Sequence, residues 1–397
     1  MTHPPLPESA DVVVVGAGIM GASIGFQLAS GSDRRVVIVD ERPPVGGVSG
    51  RTFGQIRQHY SNSLLVEMAQ RGFEVIRNWD REVGHGDPGY VAMGYMLLVV
   101  EEQLDALRRN VDLGAGLGVD TRVVGPDEIA VIEPLLVTDD LAGGAYEPDG
   151  GYIDVTKMVL SWLGAAHAAE AAVVAGVRVE GIETDRGSVT GVSTAAGTIE
   201  APTVVVAAGA WASDLLEPAG APVPIERRRL DMAHMVLPAG SRQIRSCITD
   251  GNSNLVLRPD MGQRVLAVAY PPEMPLVDDP IGPAPAADHE AHLARIETAF
   301  AERIPEFVGA EVVSTVSGAY DITPDFHPVL GPSPDLGGLH LAVGFSGHGL
   351  KLSPAVGEIV AASVLGHEPP LDPSPLRASR FAEDDLMYMA YGPGARA

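Results

Sequence analysis

The run Val12–Val15, followed by glycines at 16, 18 and 21, restricts what this chain can fold into more than any other stretch. Four consecutive valines read as a strand buried on both faces, as in a parallel sheet. The turn after them has the spacing G-x-G-x-x-G. Gly16 permits the tight turn, Gly18 lets the backbone approach a pyrophosphate, and Gly21 lets the next helix sit close to the strand. That helix, expected over Ile19–Ser30, starts at Ile19 and Met20 and aims its N-terminal N–H groups and positive dipole end at phosphates. A second strand over residues 36–39 ends in Asp40. This acid falls about 20 residues beyond the glycines, where a ribose hydroxyl needs an acceptor. NAD, NADP and FAD all satisfy this fingerprint.

At 397 residues the chain exceeds the size at which one core keeps growing, so two domains are expected. Lys and Arg total 27 against 52 Asp and Glu, a net charge of −25, which argues against nucleic acid or an anionic membrane as partner. Residues 1–10 lack both a basic region and an apolar run, so no signal peptide is expected. No apolar run is long enough to span a bilayer, and the expected location is cytoplasmic. Cys247 is the single cysteine, which excludes an internal disulfide and a cysteine-based zinc site; no metal is expected.

After Asp40 the chain is turn-rich through Arg51. A loop leaving the second strand of a dinucleotide fold runs over the cofactor, so Glu41, Arg42, Ser49, Gly50 and Arg51 are candidate contacts. Its continuation, with Thr52, Gly54, Gln55 and Arg57, puts polar and cationic groups where a substrate can sit. Helix signals start at Ser61 or Asn62 and run to Val83. Residues 89–100 read as strand and Glu101–Gly116 as helix, and Pro126 opens a short helix toward Ile132. These elements interrupt the βαβ rhythm, as an inserted domain would. The rhythm resumes near Asp154 with a helix through Glu170 and a strand near Val173. An antiparallel meander follows over residues 177–200, turning at Asp185, Arg186 and Gly187. Residues 203–208 form another buried strand that rejoins the first sheet and ends in a turn at Ala208, Gly209 and Trp211. Residues 215–322 return to the second domain, with strands at 232–237, 255–257 and 265–268, a helix at 289–300, and proline-rich loops at 271–275 and 280–285. The last strand, Leu339–Val343, runs into a second glycine turn, Gly344 to Lys351, and a helix over residues 353–365.

The glycine turns 16–21 and 344–351, together with residues 207–211 and 320–325, make the chain resemble the D-amino-acid-oxidase superfamily of FAD enzymes. Within it, the chain is most similar to the sarcosine oxidase and dimethylglycine dehydrogenase branch. The most specific match is G-F-S-G-H-G-x-K at Gly344, Ser346, Gly347, His348, Gly349 and Lys351, close to the flavin-proximal segment of monomeric sarcosine oxidases. The resemblance implies an α/β (α+β) architecture. An FAD-binding Rossmann-type domain (1–52, 150–214 and 325–397) carries an inserted mixed-sheet substrate domain (53–149 and 215–324). It further implies that the first fingerprint, Asp40 and the Ser49–Thr52 loop hold the adenine dinucleotide, and that the backbone near Val179 meets the adenine. Gly344 to Lys351, Leu350 included, wrap the isoalloxazine. Arg57 matches the arginine that binds the substrate carboxylate, Lys351 the lysine that assists it, and Tyr320 a tyrosine beside the substrate; His348 completes the candidate catalytic set.

Those roles have a physical basis. Flavin oxidation of an amine moves a hydride from the α-carbon to flavin N5 and leaves an anionic ring, which calls for a cation or a helix N-terminus nearby. Lys351 supplies a charge and the helix after Gly349 a dipole, while Arg57 offers a carboxylate a bidentate fork that lysine cannot. No base is required when the amine binds neutral. Simpler readings stand beside these: backbone hydrogen bonding for His348, packing for Trp211, turn formation for Asp325. Arg258 is a further candidate for facing the substrate.

Three departures from the pattern carry weight. Monomeric sarcosine oxidases attach FAD through a cysteine two residues before the matched tyrosine; here that position is Gly318, so FAD is expected to be non-covalent. The histidine that links FMN in heterotetrameric enzymes is replaced within residues 152–154, so no second flavin is expected. The lysine that activates oxygen should fall in 265–268, where Leu266 is the loose match, which leaves O2 and another electron acceptor both open. The expected activity is FAD-dependent oxidation of the C–N bond of a secondary or N-methylated amino acid, with hydrolysis of the imine. The alternatives are a D-amino-acid or cyclic imino-acid dehydrogenase, a tailoring enzyme acting on an amine in a larger intermediate, and a flavin-binding partner subunit.

Overall fold

The computed structural model describes residues 6–279, 281–388 and 390–391. Residues 1–5 and 392–397, the outer ends of the expected dinucleotide domain, lie outside these, as do Met389 and Pro280 of one expected loop.

Val12–Val15 is a central strand of a six-stranded sheet, in the order Val329–Pro332, Leu339–Val343, Val204–Val206, Val12–Val15, Val36–Asp40, Ala172–Ala175. All neighbours pair in parallel except Val329–Pro332, which runs antiparallel to Leu339–Val343. The four valines are explained by burial on both faces. Val12 and Val14 enter the core under helices Ile19–Ser30, Ser63–Arg77, Val155–Ala168 and Gly349–Leu365. Val13 and Val15 enter a second core, under the meander Val179–Asp185, Ser188–Thr194 and Gly197–Glu200. The expected meander turn is present, with Arg186 and Gly187 at φ 49° and 81°.

Helix Ile19–Ser30 lies against strand and helix at very short range. A Cβ on Gly21 would stand 1.8 Å from the Gly16 carbonyl oxygen, and one on Gly357 would stand 2.3 Å from Ser23 Oγ. Ser23 Oγ donates to the Ser353 carbonyl at 2.8 Å across that helix pair. The C-terminal helix, expected from residue 353, begins earlier, at Gly349. It tolerates Pro354 in its interior because Ser353 Oγ donates to the Leu350 carbonyl at 2.6 Å, the oxygen that the missing proline N–H leaves open.

The eight-stranded sheet has the order Glu311–Ile322, Glu226–Val236, Arg264–Ala269, Leu255–Asp260, Cys247–Asp250, Tyr95–Val99, Gly143–Glu147, Arg122–Val124. It is antiparallel throughout except where Cys247–Asp250 pairs in parallel with Tyr95–Val99. Helix Ala286–Arg303 covers one face through Ile296, Ala299 and Phe300. The other face presents Leu230, Met232, Val256, Val268 and Tyr270 toward the first sheet.

Two of the expected boundaries fall within shared cores. Helix Ser63–Arg77, assigned to the insert at 53–149, buries Leu65, Val66, Met68 and Phe73 in the same core as the first and last helices. A cut at residue 53 therefore runs through that core, and a cut at 215 places Leu215, Leu216, Ala221 and Val223 in the insert although they pack in the second core with Val13 and Val15. The helix also ends at Arg77 rather than Val83, and a separate turn follows at Trp79–Glu82. Its N-cap is Asn62, whose side chain accepts the Leu65 N–H at 2.9 Å. Among the described residues, no helix is long and apolar enough to cross a membrane, and no group of three or more His, Cys, Asp or Glu is placed to hold a metal ion.

Candidate active site

A cavity of about 580 Å3 runs from the N-terminus of helix Ile19–Ser30 to the open face of the eight-stranded sheet. Its first end is built by the two strand-end turns. Gly16, at φ 110°, lies so close to the next strand that a Cβ would stand 2.4 Å from the Ala207 carbonyl oxygen, which only glycine permits. Asp40 Oδ2 accepts the Ala17 N–H at 2.7 Å and Oδ1 the Arg42 N–H at 2.8 Å, while burial pushes its pKa up. Each oxygen keeps a second lone pair for a ribose hydroxyl. Glu41 pairs with Arg42 at 2.9 Å and Arg178 at 3.8 Å, and Val179 lines the cavity beside them.

Helix Ile19–Ser30 has no side-chain cap of its own beyond Gly18. Ser49 Oγ accepts the Ile19 N–H at 3.0 Å, which brings the 49–52 loop over the helix end. Arg42 also stacks 5.1 Å from the Trp211 ring, and Ala208, Gly209 and Trp211 line the same stretch. Two buried donors here, Arg42 Nε and Gln55 Nε2, have no hydrogen-bond partner among the described residues, and both residues line the cavity. Buried polar groups are rarely left so unless a ligand completes them. Elongated shape, glycine cradle, exposed helix end and orphaned donors together fit an adenine dinucleotide.

The second glycine turn meets the cavity further along. Asp321 Oδ2 accepts the Gly344 and Phe345 N–H groups, both at 3.1 Å, and burial pushes its pKa up to about 6. Ser346 sits at φ 51° in this clamped turn, a conformation that a non-glycine residue adopts at a cost. Gly347, His348, Gly349, Leu350 and Lys351 then line the cavity and open helix Gly349–Leu365. The His348 ring stacks at a tilt on Tyr60, 5.6 Å between centroids.

Arg57 and Lys351 share the far end. The Arg57 guanidinium lies 4.7 Å from the Tyr60 ring and 5.9 Å from Tyr95, and its Nη1 donates to the His59 carbonyl. Lys351 Nζ is 5.8 Å from Tyr60. Burial and the neighbouring Arg57 charge pull the Lys351 pKa well below its ordinary value, and Glu147 partly opposes them. Tyr320 OH and Tyr270 OH are 3.0 Å apart on the sheet side.

Nearly every residue expected from the sequence therefore lines one cavity: Gly16, Gly18, Ile19, Met20, Asp40 through Arg42, Ser49, Arg51, Thr52, Gly54, Gln55, Arg57, Val179, Ala208, Gly209, Trp211, Tyr320 and Ser346 to Lys351. Gly21, Gly50 and Gly344 are not in its wall. Gly21 packs helix on strand, as its spacing implied; Gly50 and Gly344 serve close approach instead of contact, their Cβ positions falling 2.0 Å from the Val45 oxygen and 2.4 Å from Thr323 Cγ2. Arg258 stands behind the wall, donating to the Phe53 carbonyl at 2.8 Å, and Leu266 does not reach the cavity. Cys247 is fully buried in its strand and is not in the wall either, whereas Gly318 is.

Sequence reasoning missed three groups. Asp321 falls within the 320–325 segment, where only Tyr320 is expected to act and Asp325 to form a turn. Glu147 is 1% exposed, accepts the Gln58 N–H at 2.7 Å, and has an Oε1 without a partner among the described residues. Burial pushes its pKa up to about 7 against the pull of the Gln58 N–H, Arg57 and Lys351. Tyr391, near the end of the chain, lines the cavity.

A family model described as FAD dependent oxidoreductase (DAO) matches residues 11–363. The chain belongs to that family. Its members are FAD-dependent oxidoreductases. It is 29% identical to the mitochondrial sarcosine dehydrogenase of Homo sapiens over 382 residues, 93% of this chain and 41% of that protein. It is 28% identical to the glycine oxidase of Geobacillus kaustophilus, covering 93% of this chain and 97% of that one. Among solved structures, L-proline dehydrogenase from P. horikoshii superposes with a TM-score of 0.88 at 26% identity, over 96% of this chain and 100% of that one. The family chain thus spans about two-fifths of the sarcosine dehydrogenase it matches.

Proposed function

We propose that the protein oxidises the C–N bond of a secondary or N-methylated amino acid to an imine, which water then hydrolyses. FAD, when bound, supplies the two-electron, hydride-accepting chemistry. The observation that carries the reading is the joint presence of Arg57, Lys351 and the N-terminus of helix Gly349–Leu365 at one end of the cavity. Arg57 would hold the substrate carboxylate in a fork, steadied by the faces of Tyr60 and Tyr95. Lys351 and the helix end bring positive potential to the same region, which favours negative charge developing there. Leu230, Met232, Val256 and Val268 would exclude water from the substrate's carbon side. In this reading the six-stranded sheet holds the cofactor and the eight-stranded sheet the substrate.

The flavin would be non-covalent, since residue 318 is glycine and Cys247 lies outside the wall. A cyclic imino acid is the second reading, supported by the likeness to L-proline dehydrogenase over 96% of this chain and 100% of that one. The absence of lysine from Arg264–Ala269 leads us to propose an electron acceptor other than O2. A cytoplasmic location is part of the proposal, and cell fractionation tests it.

The test is anaerobic. Protein loaded with FAD is mixed with sarcosine, other N-methyl amino acids, proline and D-amino acids, and flavin absorbance is followed. Bleaching by an N-methyl amino acid or proline is expected, and Arg57→Ala should slow it at least about a hundredfold, as losing a charge-assisted bidentate contact does. A flavin that no amino acid bleaches, or an Arg57→Ala variant as fast as the parent, would overturn the proposal. Peroxide formation on the same panel decides between O2 and another acceptor.

A further inference from the structure

The segment after helix Gly349–Leu365 is tied down at three points. Arg380, 0% exposed, forks onto Asp325, with Nε donating to Oδ2 at 2.8 Å and Nη2 to Oδ1 at 3.0 Å. The Met387 N–H donates to the same carboxylate at 3.2 Å, and the Ala390 N–H donates to Ser61 Oγ at 3.1 Å. The next residue, Tyr391, shares a hydrogen bond with His59 Nε2 at 2.8 Å. His59 is 3% exposed, and burial together with Arg57 lowers its pKa to about 3, so the ring is neutral at working pH. Tyr391 lines the same cavity as Arg57, Lys351 and Tyr95, and burial pushes its hydroxyl pKa up, so the ring is uncharged.

We propose that Tyr391 is a specificity-determining residue: the C-terminal segment closes the Arg57 end of the cavity, and the Tyr391 ring sets the bulk of the group a carboxylate substrate can carry there. The inference rests on the reading of Arg57 as the carboxylate site. Three anchors spread over Arg380, Met387 and Ala390 hold the ring in place, and the hydrogen bond to neutral His59 sets its orientation without adding a charge beside Arg57. An aromatic ring so held acts as a wall of fixed size, whereas a side chain on a loosely held segment would yield to any ligand.

The test uses the full-length, FAD-loaded protein and carboxylates that lack an amine and so cannot be oxidised. Acetate, butanoate and benzoate are titrated while the flavin spectrum is followed, for the parent, Tyr391→Phe, Tyr391→Leu and Tyr391→Ala, with Arg57→Ala alongside. Tyr391→Ala should raise benzoate affinity relative to acetate by about tenfold or more, the scale on which apolar pockets discriminate by one or two methylenes. Tyr391→Phe, which keeps the ring, should stay within about threefold of the parent on the same scale. Should Tyr391→Ala lose its flavin, Tyr391→Leu keeps apolar packing and is read in its place. An unchanged benzoate-to-acetate ratio in the trimmed variant, with Arg57→Ala abolishing binding as expected, overturns the role of Tyr391 alone. Carboxylate binding that survives Arg57→Ala overturns the carboxylate site and this inference with it.

Discussion

Replacing Glu147 with glutamine removes a buried carboxylate while keeping its shape, and glutamine's side-chain oxygen can still accept the Gln58 N–H. The Glu147 pKa is raised from 4.5 to about 7, burial outweighing the opposing pull of the Gln58 N–H, Arg57 and Lys351. A raised carboxyl pKa means that the folded state holds the proton more tightly than the unfolded chain. Its contribution to stability is therefore full below pH 4.5 and is lost as the pH rises through 7. The shift of roughly 2.5 units corresponds to about 3 kcal/mol. Unfolding entropy of about 2 cal/mol/K per residue converts this to roughly 4 °C for a chain of this length. Thermal unfolding of the FAD-loaded protein, followed by circular dichroism at pH 5 and pH 8, should show the parent losing about 3 °C more than Glu147→Gln over that interval, since part of the effect already lies below pH 5. Asp321, whose pKa is also raised, is common to both proteins and cancels in the difference. Parallel melting curves would refute the argument. So would a parent that gains stability relative to the variant toward pH 8, for then Arg57 and Lys351 would outweigh burial. A second readout follows from Lys351: without the Glu147 charge its pKa falls further, so any step needing the ammonium should fail at a lower pH in the variant.

Gly21→Ala would drive a Cβ to 1.8 Å from the Gly16 carbonyl oxygen, backbone against backbone with no flexible side chain to yield. The variant should purify without flavin and lose about 3 kcal/mol or more, an overpacking cost at the upper end of the usual range; a normal ratio of flavin to protein absorbance would contradict this. Arg380→Ala leaves Asp325 buried without its counter-charge. Breaking such a pair costs about 3–5 kcal/mol, which for this chain is a fall of roughly 4–6 °C in Tm by calorimetry. A change under about 1 °C would mean that the pair carries no more than a surface ion pair does.

The parts of the fold legible in the sequence are those where local chemistry and tertiary packing demand the same residues. Val12–Val15 is all-valine because both its faces are covered, and Gly16 and Gly21 are glycine because backbone meets backbone there. The eight-stranded sheet was harder to read. Gly143–Glu147 opens with two glycines and looks like a turn. Glu311–Ile322 is an edge strand whose first half is exposed, Val312 and Val313 included, so it shows no alternation. Helix Ser63–Arg77 has a clear apolar face, but the sequence does not say which core that face joins.

The same contrast divides the two ends of the cavity. The cofactor end is made by turns whose needs are local: a tight bend, a close approach, an exposed helix start. A short pattern encodes each of these. The proposed substrate end is assembled over long distances. Glu147 reaches Gln58 across 89 residues of chain, and Tyr391 reaches His59 across 332. No local pattern marks either residue, because nothing about the backbone at residue 147 or 391 requires glutamate or tyrosine. Residues of this kind are free to change without disturbing the cofactor cradle. A family can therefore keep one flavin site while its members carry names as different as sarcosine dehydrogenase, glycine oxidase and L-proline dehydrogenase. On this argument the substrate of the present chain is written in residues such as Tyr391, Tyr95 and Tyr270, which share the wall with Arg57 and which no motif contains.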